Sequence, residues 1–376
     1  MTGVEITGAA MVPFGRHPSR TATELGAVAV RDALREAGTD RRFDAAFCGT
    51  AYGGVAAGHR VLGRLGLTGT PIVDVEAGCA SGAAALALAA SAIREGRHGT
   101  VLVFGIEKMP KGMIRSSYFE PWQEELGLAA TPAYFALRAR RLMIESGVTK
   151  EQLAAVVVKN RANGAHNDDA MFRKPVTAEE VLASRLVCDP LHLFMLCSPN
   201  EGAAAVVLRA SRSDGGVQVR ACALRSHLPG HVLNEGSPLC GLVGEAPVPP
   251  TAMAAADAYA EAGIGPADLD LVECQDTDAA RELLAYEELG LCEAGGCGDL
   301  LDAGHTALGG RLPVNPSGGL LSKGEPLGAS AIGQVVEIVR QLQGRSDPRR
   351  QVEGAHVGLA QTVGRGANAS VTILSR

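Results

Sequence analysis

The sequence predicts an α/β fold built from two similar βαβ halves, and three observations point to it. Short apolar strands alternate with helices along most of the chain, as expected for strands and helices packed in layers. Each half contains a glycine-rich turn that leads into a long buried helix, after Cys79 in the first half and after Glu325 in the second. At 376 residues the chain is also too long for one ordinary core. We therefore expect a duplicated fold with a five-layer α-β-α-β-α arrangement.

The first half starts with a strand and an amphipathic helix. Thr21 or Thr23 fits the N-cap of that helix, and Gly38 fits its end. From 107 to about 186 the pattern is irregular, which indicates an inserted loop domain. In chain order, the predicted elements are strand 4–12, helix 21–37, strand 43–48, a short helix from 61, strands 71–75 and 101–105, helices 133–146 and 150–165, and strand 201–210.

The second half repeats this plan. The polar, glycine-containing stretch from Ser211 to Gly216 is the best candidate for a boundary, so we expect one half at 1–213 and the other at 214–376. The elements predicted in the second half are strand 217–224, helix 249–262, strand 269–274, helices 281–289 and 329–343, and strands 356–359 and 369–374.

A cysteine stands where the central helix of the first half should begin. Pro71 to Val75 is a short apolar strand, Gly78 to Gly82 is a tight turn, and an Ala-rich helix of about four turns follows. A thiol at this place meets the positive end of the helix dipole and free backbone N–H groups, both of which favour the thiolate. We therefore interpret Cys79 as a nucleophile. The alternative is an inert cysteine that packs in the core.

Composition and charge exclude several classes of protein. The net charge of −6 provides no basic surface for nucleic acid or an anionic membrane, and no apolar run reaches the roughly 18–20 residues of a spanning helix. The nine cysteines are scattered without a CxxC pair or a zinc-like cluster, so we expect no metal site and a reducing compartment. The N-terminal residues fit a strand rather than a secretory signal. These features predict a cytoplasmic protein.

Six motifs are spread over nearly the whole chain: MVPFGRH (11–17), DVEAGCASG (74–82), GIEKMPKG (105–112), CSPNEGAAA (197–205), YEELGLC (286–292) and VNPSGGLLSKGEPLGAS (314–330). Together they resemble the thiolase superfamily, in particular the branch of the sterol carrier protein X thiolase and its bacterial lipid-transfer-protein relatives. The resemblance implies the thiolase fold, an acyl-CoA or acyl-carrier-protein thioester as substrate, no permanently bound cofactor, and a homodimer formed near the nucleophile turn.

The resemblance places Cys79 at the position of the acyl-accepting cysteine of thiolases, whereas the other catalytic positions differ. The histidine of the family's G-H-P motif is Glu325 here. The asparagine or histidine of the second motif is Gln275. The C-terminal cysteine of the C-x-G motif corresponds to Gln361 or Thr362, and Gly364 corresponds to the glycine of the oxyanion hole.

Glu325 is the substitution with the largest chemical consequence. A carboxylate in a closed pocket has a raised pKa and can act as a general base near neutral pH, taking the proton of Cys79 or of an incoming nucleophile. It repels a developing enolate, so acyl transfer with an oxyanion hole made by the N–H groups of Cys79 and Gly364 is favoured over Claisen condensation. Gln275 can hold a water molecule but cannot shuttle a proton. The alternative is that Glu325 only caps the following helix.

Four further residues fit a substrate site. His305 lies just before the N-P-S-G-G turn and either enters the pocket or is simply solvated. The resemblance places Lys108, Lys111 and Arg115 in the region where relatives bind the coenzyme A tail, and cations suit its phosphates. The alternative is that these three cations form an ordinary exposed face.

Three functions are compatible with these residues. The first is a thiolase-like acyltransferase that passes an acyl group through Cys79 to a carbon, amine or hydroxyl nucleophile, in biosynthesis or lipid metabolism. The second is an acyl-CoA aldolase or retro-aldolase like those that some lipid-transfer-protein relatives resemble. Such enzymes use tyrosines of the C-terminal half, where this chain has only Tyr259 and Tyr286. The third is a degenerate partner subunit that supports an active homologue or binds a small zinc-containing OB-fold protein. The intact turn around Cys79 favours an enzyme.

Overall fold

The computed structural model describes residues 2–39, 42–111, 121–127, 130–211, 215–229, 247–365 and 368–376. The strands are β1 (Val4–Gly15), β2 (Ala45–Gly49), β3 (Ile72–Val75), β4 (Thr100–Lys108), β5 (Leu186–Cys188), β6 (Leu191–His192), β7 (Glu201–Ala210), β8 (Val217–Ser226), β9 (Leu271–Cys274), β10 (Val357–Val363) and β11 (Asn368–Ser375). The helices are α1 (Ala22–Glu36), α2 (Ala57–Arg64), α3 (Ser81–Arg94), α4 (Pro121–Glu125), α5 (Thr131–Glu145), α6 (Lys150–Gly164), α7 (Ala178–Ala183), α8 (Pro250–Ala262), α9 (Ala279–Glu288), α10 (Cys297–Asp302), α11 (Gly319–Lys323) and α12 (Leu327–Leu342).

Nine strands form one sheet in the order β3-β2-β4-β7-β1-β8-β11-β10-β9. The first five belong to the first half of the chain and the last four to the second half. β2 is parallel to β3 and β4, and β9 is parallel to β10. The two halves join where Glu5 and Ile6 of β1 pair with Gln218 and Val217 of β8. Each half therefore carries the parallel strands that a βαβ unit requires.

Helices cover and separate the two halves of the sheet. On one outer side, α1 packs on β1, β4 and β7, and on the other, α8 packs on β8 and β11. Between the halves, α3 and α12 pack against each other and contact strands from both, including β4, β8 and β10. The layer order is thus α1, first half-sheet, α3 with α12, second half-sheet, α8. This order confirms the predicted five-layer arrangement.

Small residues permit close packing in the central layer. A Cβ atom on Gly105 of β4 would lie 2.2 Å from the carbonyl oxygen of Gly328, and a Cβ atom on Gly82 of α3 would lie 3.0 Å from the same oxygen. Backbone therefore approaches backbone at the first turns of both central helices. This approach brings the turn that contains Cys79 next to the start of α12.

The inserted region begins at the end of β4 and carries α4 to α7. Both α5 and α6 pack against α9, and α6 also contacts α10 and α11. Its apolar core is shared with the second half, since Tyr134 and Leu153 belong to the same buried cluster as Val272 and Leu283. The inserted region therefore lies over the second half of the fold.

Most predicted elements lie within a few residues of the observed ones. The cap of α1 is confirmed: the Thr21 hydroxyl accepts from the N–H of Glu24 at 3.2 Å, and the Glu24 carboxylate accepts from the N–H of Thr21 at 2.9 Å. The clearest difference is β10, which continues to Val363 and places Gln361 and Thr362 inside the sheet. Among the described residues, no helix is both long enough and apolar enough to cross a membrane.

Candidate active site

Cys79 lies in a fixed turn between β3 and α3. Gly78 has φ of +58°, a conformation that favours glycine. The Ser81 hydroxyl closes the turn because it accepts from the N–H of Ala77 at 2.9 Å and donates to the carbonyl oxygen of Gly78 at 2.6 Å. The strand–turn–helix placement of Cys79 predicted from the sequence is therefore observed.

Glu325 reaches the same place from the second half. It follows Gly324, whose φ of +80° and closeness to Asn200 exclude a side chain: a Cβ atom there would lie 2.1 Å from the Asn200 amide nitrogen. The N–H of Glu325 donates to the carbonyl oxygen of Ser198 at 2.9 Å. These contacts hold Glu325 just before α12, where its side chain is only 6% exposed.

The Glu325 carboxylate faces other side chains of the site. Its Oε1 accepts from Gln275 Nε2 at 2.7 Å, and its Oε2 accepts from Cys197 Sγ at 3.6 Å. It also lies close enough to Cys79 to raise the pKa of the thiol. Another residue caps the start of α12: the N–H of Gly328 donates to Glu107 Oε2 at 3.1 Å. These contacts favour a site role for Glu325 over the capping role considered as the alternative.

Gln275 is oriented by two backbone hydrogen bonds. Its side-chain Oε1 accepts from the N–H of Val363 at 2.8 Å, and its own N–H donates to Gln361 Oε1 at 3.1 Å. Because the amide oxygen is occupied by β10, the amide NH₂ group points toward Glu325 and Cys79. Gln275 therefore presents a donor, and no acceptor, to the two reactive side chains.

The surroundings of Cys79 favour its protonated thiol. Burial raises the pKa of this thiol well above its usual range, and the neighbouring Glu325 raises it further through its charge and its hydrogen bond. Arg365 and Gln275 act in the opposite direction without outweighing these effects. These effects oppose the thiolate that the helix dipole favours, so attack by Cys79 requires a base that takes its proton.

The structure does not bring Thr362 to Cys79. Neighbouring residues of a strand point to opposite faces, and the Thr362 hydroxyl faces α12, where it donates to Gln334 Oε1 at 2.6 Å. Gln361, the other candidate for this position, supports the backbone of Gln275 instead. Neither residue has the proton-transfer position expected from the family's C-x-G cysteine.

Gly364 lies beside the nucleophile turn but uses its N–H elsewhere. That N–H donates to the carbonyl oxygen of Asn368 at 2.9 Å, in the turn between β10 and β11, rather than completing an oxyanion hole with Cys79. The closeness of the two turns explains why a glycine is needed, since a Cβ atom on Gly364 would lie 1.9 Å from the carbonyl oxygen of Ala77.

We expect Gly364→Ala to lower the free energy of unfolding by about 1–3 kcal/mol, because the added methyl group must displace the backbone of the nucleophile turn. Urea unfolding measures this loss. Gly63→Ala is the matched control: Gly63 is an exposed helical glycine with no atom near its Cβ position, so alanine should stabilise the chain by about 0.5–1 kcal/mol. Equal effects of the two changes would contradict the close approach at Gly364.

The remaining predicted residues lie away from these contacts. His305 is exposed, as in the solvated alternative. The Lys108 ammonium donates at 2.8 Å to each of three oxygens, the carbonyls of His17 and Arg20 and the Glu201 carboxylate. Lys108 therefore links β4 to the segment after β1, and its ammonium group is not available to bind a phosphate. Lys111 is exposed, and Arg115 lies outside the described residues.

Two residues at the site were not predicted. Cys197 follows the inserted region and donates its thiol hydrogen to Glu325; it was visible only as part of a family motif. Arg365 follows Gly364, and its positive charge acts on Cys79. In the sequence, Arg365 is a cation between two glycines of the expected oxyanion loop. The residues that its side chain contacts belong to a different region of the chain.

Comparisons with known proteins identify the family of this chain. The family described as thiolase, N-terminal domain matches residues 4–212, and the family described as thiolase C-terminal domain-like matches residues 245–376. The acetyl-CoA acetyltransferase of Methanothermobacter thermautotrophicus is 36% identical, with both chains covered completely. Sterol carrier protein 2 of Gallus gallus is 33% identical over 98% of this chain and 71% of its own.

Among solved structures, the Ltp2-ChsH2(DUF35) aldolase superposes with a TM-score of 0.87 and 25% identity over 99% of this chain and 97% of its own. The sequence matches extend over both halves of the chain. The structural superposition covers 99% of the chain. The chain therefore belongs to the thiolase superfamily, with relatives in its sterol carrier protein X-like branch, and is a thiolase-like acyltransferase.

Proposed function

We propose that Cys79 accepts an acyl group from a coenzyme A or acyl-carrier-protein thioester and passes it to a second nucleophile, with Glu325 as the general base. The observation that carries this proposal is the position of the Glu325 carboxylate, which accepts a hydrogen bond from Gln275 and lies close enough to Cys79 to raise the pKa of its thiol. A protonated thiol and an adjacent carboxylate form the pair that nucleophilic catalysis requires.

In the first half-reaction, Glu325 takes the thiol proton while Cys79 Sγ attacks the thioester carbonyl carbon. The bond between this carbon and the donor's sulfur then breaks, and the donor leaves as a thiol after receiving the proton from Glu325. In the second half-reaction, the acceptor loses its proton to Glu325 and attacks the acyl carbon, and Cys79 leaves with that proton. The N–H of Cys79, two residues before α3, stabilises the carbonyl oxygen during both steps.

The acceptor is a carbon, amine or hydroxyl nucleophile of a biosynthetic or lipid intermediate. An amine or a hydroxyl suits the site better than an enolate, because the negative charge of Glu325 opposes a second negative charge beside it. A histidine at this position would have the opposite effect once protonated. The position of Glu325 therefore supports acyl transfer over condensation through an enolate.

An acyl-CoA aldolase is the second candidate, and it is favoured by the structural similarity to the Ltp2-ChsH2(DUF35) aldolase. The two C-terminal tyrosines do not support it. The Tyr259 hydroxyl donates to the carbonyl oxygen of Leu289 at 2.9 Å, and the fully buried Tyr286 donates to Glu282 Oε1 at 2.6 Å. Both hydroxyls are engaged within the second half rather than at Cys79. The proposal also includes a homodimer, which the family resemblance implies. It includes a DUF35 partner because the Ltp2-ChsH2(DUF35) aldolase is a structural neighbour.

Intact-protein mass spectrometry after mixing with a panel of acyl-CoAs tests the function. We expect an adduct of the acyl mass on the native chain and none on Cys79→Ala, because the proposed nucleophile is the thiol of the turn before α3. Cys222→Ala is the matched control, since Cys222 is another partly buried cysteine and its loss should leave the adduct unchanged. An adduct that persists in Cys79→Ala, or no adduct with any thioester, would contradict the proposal and leave the aldolase.

A further inference from the structure

A surface cleft lies on the outer side of the first half, between the first turns of α1 and the end of α2. Its volume is about 340 Å³, at the lower end of the roughly 300–1,000 Å³ that small-molecule sites have. The first half-sheet lies between α1 and α3, so the cleft is on the opposite face of this sheet from the helix that follows Cys79. A ligand of this cleft would therefore not be the molecule that Cys79 attacks.

Arg20 presents an exposed guanidinium at one end of the cleft. Its backbone is fixed, because its N–H donates to the carbonyl oxygen of His17 at 3.1 Å and its carbonyl oxygen accepts from the Lys108 ammonium at 2.8 Å. The guanidinium itself forms no hydrogen bond or ion pair with any residue that the structure describes. Arg20 therefore offers five N–H donors to a ligand from an anchored position.

Two further arginines of the lining use only part of their donors. Arg64 donates through Nη2 to Glu24 Oε1 at 3.0 Å. Arg31 donates through Nε and Nη2 to the Asp32 carboxylate at 3.0 Å and 3.4 Å. Each carboxylate balances one arginine, so the charge of Arg20 remains in excess. The cleft is thus locally cationic in a chain whose net charge is −6.

The lining between these arginines is apolar. It consists of Ala27, which is buried, and of Val28 and Leu65, which are half-buried. An inorganic anion would use the arginines alone, whereas a ligand with an apolar or aromatic group would also cover this surface and gain from its burial. The cleft therefore fits a molecule with one anionic end and one apolar end.

We propose that this cleft binds a small phosphate monoester that carries an apolar or aromatic group, with Arg20 as its principal cation. A phosphate monoester has about two negative charges at pH 7 and three acceptor oxygens, and guanidinium groups bind such oxygens in pairs. Three arginines around one cleft suit this group better than a carboxylate, which has one charge and two oxygens. The proposal does not rest on acyl transfer, since none of its residues belongs to the site of Cys79.

Binding to the full chain, measured by isothermal titration calorimetry, tests the proposal with AMP and inorganic phosphate as probes. We expect AMP to bind about 10-fold more tightly than phosphate, because only AMP covers the apolar lining. Arg20→Gln should weaken AMP binding by about 10- to 100-fold, the usual range for hydrogen bonds to a charged group. Arg97→Gln is the matched control: it removes an exposed arginine, paired with Glu95 beyond α3, and should leave AMP binding unchanged.

Four outcomes would overturn the proposal. These are no saturable binding of AMP to the native chain, equal affinities for AMP and phosphate, equal weakening by Arg20→Gln and Arg97→Gln, and displacement of AMP by acetyl-CoA with an affinity that Arg20→Gln leaves unchanged. The last would place AMP at the substrate site. If Arg20→Gln fails to fold, as judged by circular dichroism, Arg31→Gln decides, because it should also weaken AMP binding. Acylation of Cys79 is a separate measurement, so either proposal can fail without the other.

Discussion

Glu325→Gln should slow the acylation of Cys79 by about 10²- to 10⁴-fold, the usual contribution of a positioned general base. Glutamine has nearly the same shape as glutamate, and its side-chain oxygen can still accept from Gln275 Nε2. The change therefore removes the proton acceptor and little else. The rate of adduct formation in rapid-quench mass spectrometry measures the effect, with acetyl-CoA as the donor.

A second measurement separates base catalysis from a simple effect of charge. Because Glu325 raises the pKa of the Cys79 thiol, Glu325→Gln should lower that pKa. Alkylation of Cys79 by iodoacetamide should then reach its half-maximal rate at a lower pH than in the native chain. If Glu325 acted only through its charge, the variant would form the thiolate more easily and would be acylated faster. Slower acylation together with easier alkylation is the signature of a lost base.

Two control variants accompany Glu325→Gln. Glu325→Asp keeps the carboxylate but withdraws it by one methylene group, so its acylation rate should lie between those of the native chain and the glutamine variant. Cys197→Ser keeps a hydroxyl donor for Glu325 Oε2, and we expect a small effect. Acylation of Glu325→Gln at the native rate would contradict the assignment of Glu325 as the base.

The fold could be predicted from the sequence because its signals are local. The glycine turns, the Thr21 cap and the alternation of strands and helices lie within short windows, and the motifs cover both halves. The joining of the halves through β1 and β8 could not be predicted, since it depends on a pairing between Ile6 and Val217. Such pairings leave no periodic pattern in either strand.

The site could be predicted only in part, for a related reason. Cys79, Glu325 and Gln275 were identified by position in motifs, and the structure brings them together. Gln361 and Thr362 are engaged elsewhere, Gln361 with the backbone of Gln275 and Thr362 with Gln334 of α12, and these long-range contacts leave no signal in the sequence around them. The thiolate was expected from the helix dipole alone, whereas burial and Glu325 act more strongly on the thiol. The position of Arg365 depends on rings more than 200 residues away, which the glycines on either side of it do not reveal.

Glu337→Gln should lower the free energy of unfolding by about 3–5 kcal/mol, because it leaves the buried Arg350 without its anion. Glu337 lies in α12 and is fully buried. Its Oε2 is 2.9 Å from Arg350 Nη1, and its Oε1 accepts from Asn167 Nδ2 at 2.8 Å. The buried Lys323 ammonium lies 3.9 Å from the same Oε1. Urea unfolding at pH 7 measures the loss, and Asp32→Asn, in an exposed pair with Arg31, should change stability by less than about 0.5 kcal/mol.

The pH dependence of this difference identifies the charge as its cause. Burial opposes ionisation of Glu337, but Arg350, Lys323 and Arg340 outweigh it and lower the pKa of this carboxyl from 4.5 to about 2. A carboxyl with a lowered folded-state pKa stabilises the fold fully above its unfolded-state pKa and loses that contribution as pH falls toward the folded value. The gap in stability between the native chain and Glu337→Gln should therefore close between pH 4.5 and about 2. A gap that stays constant over this range would mean that glutamine disturbs packing or hydrogen bonding at Glu337, rather than removing a charge that holds Arg350 and Lys323.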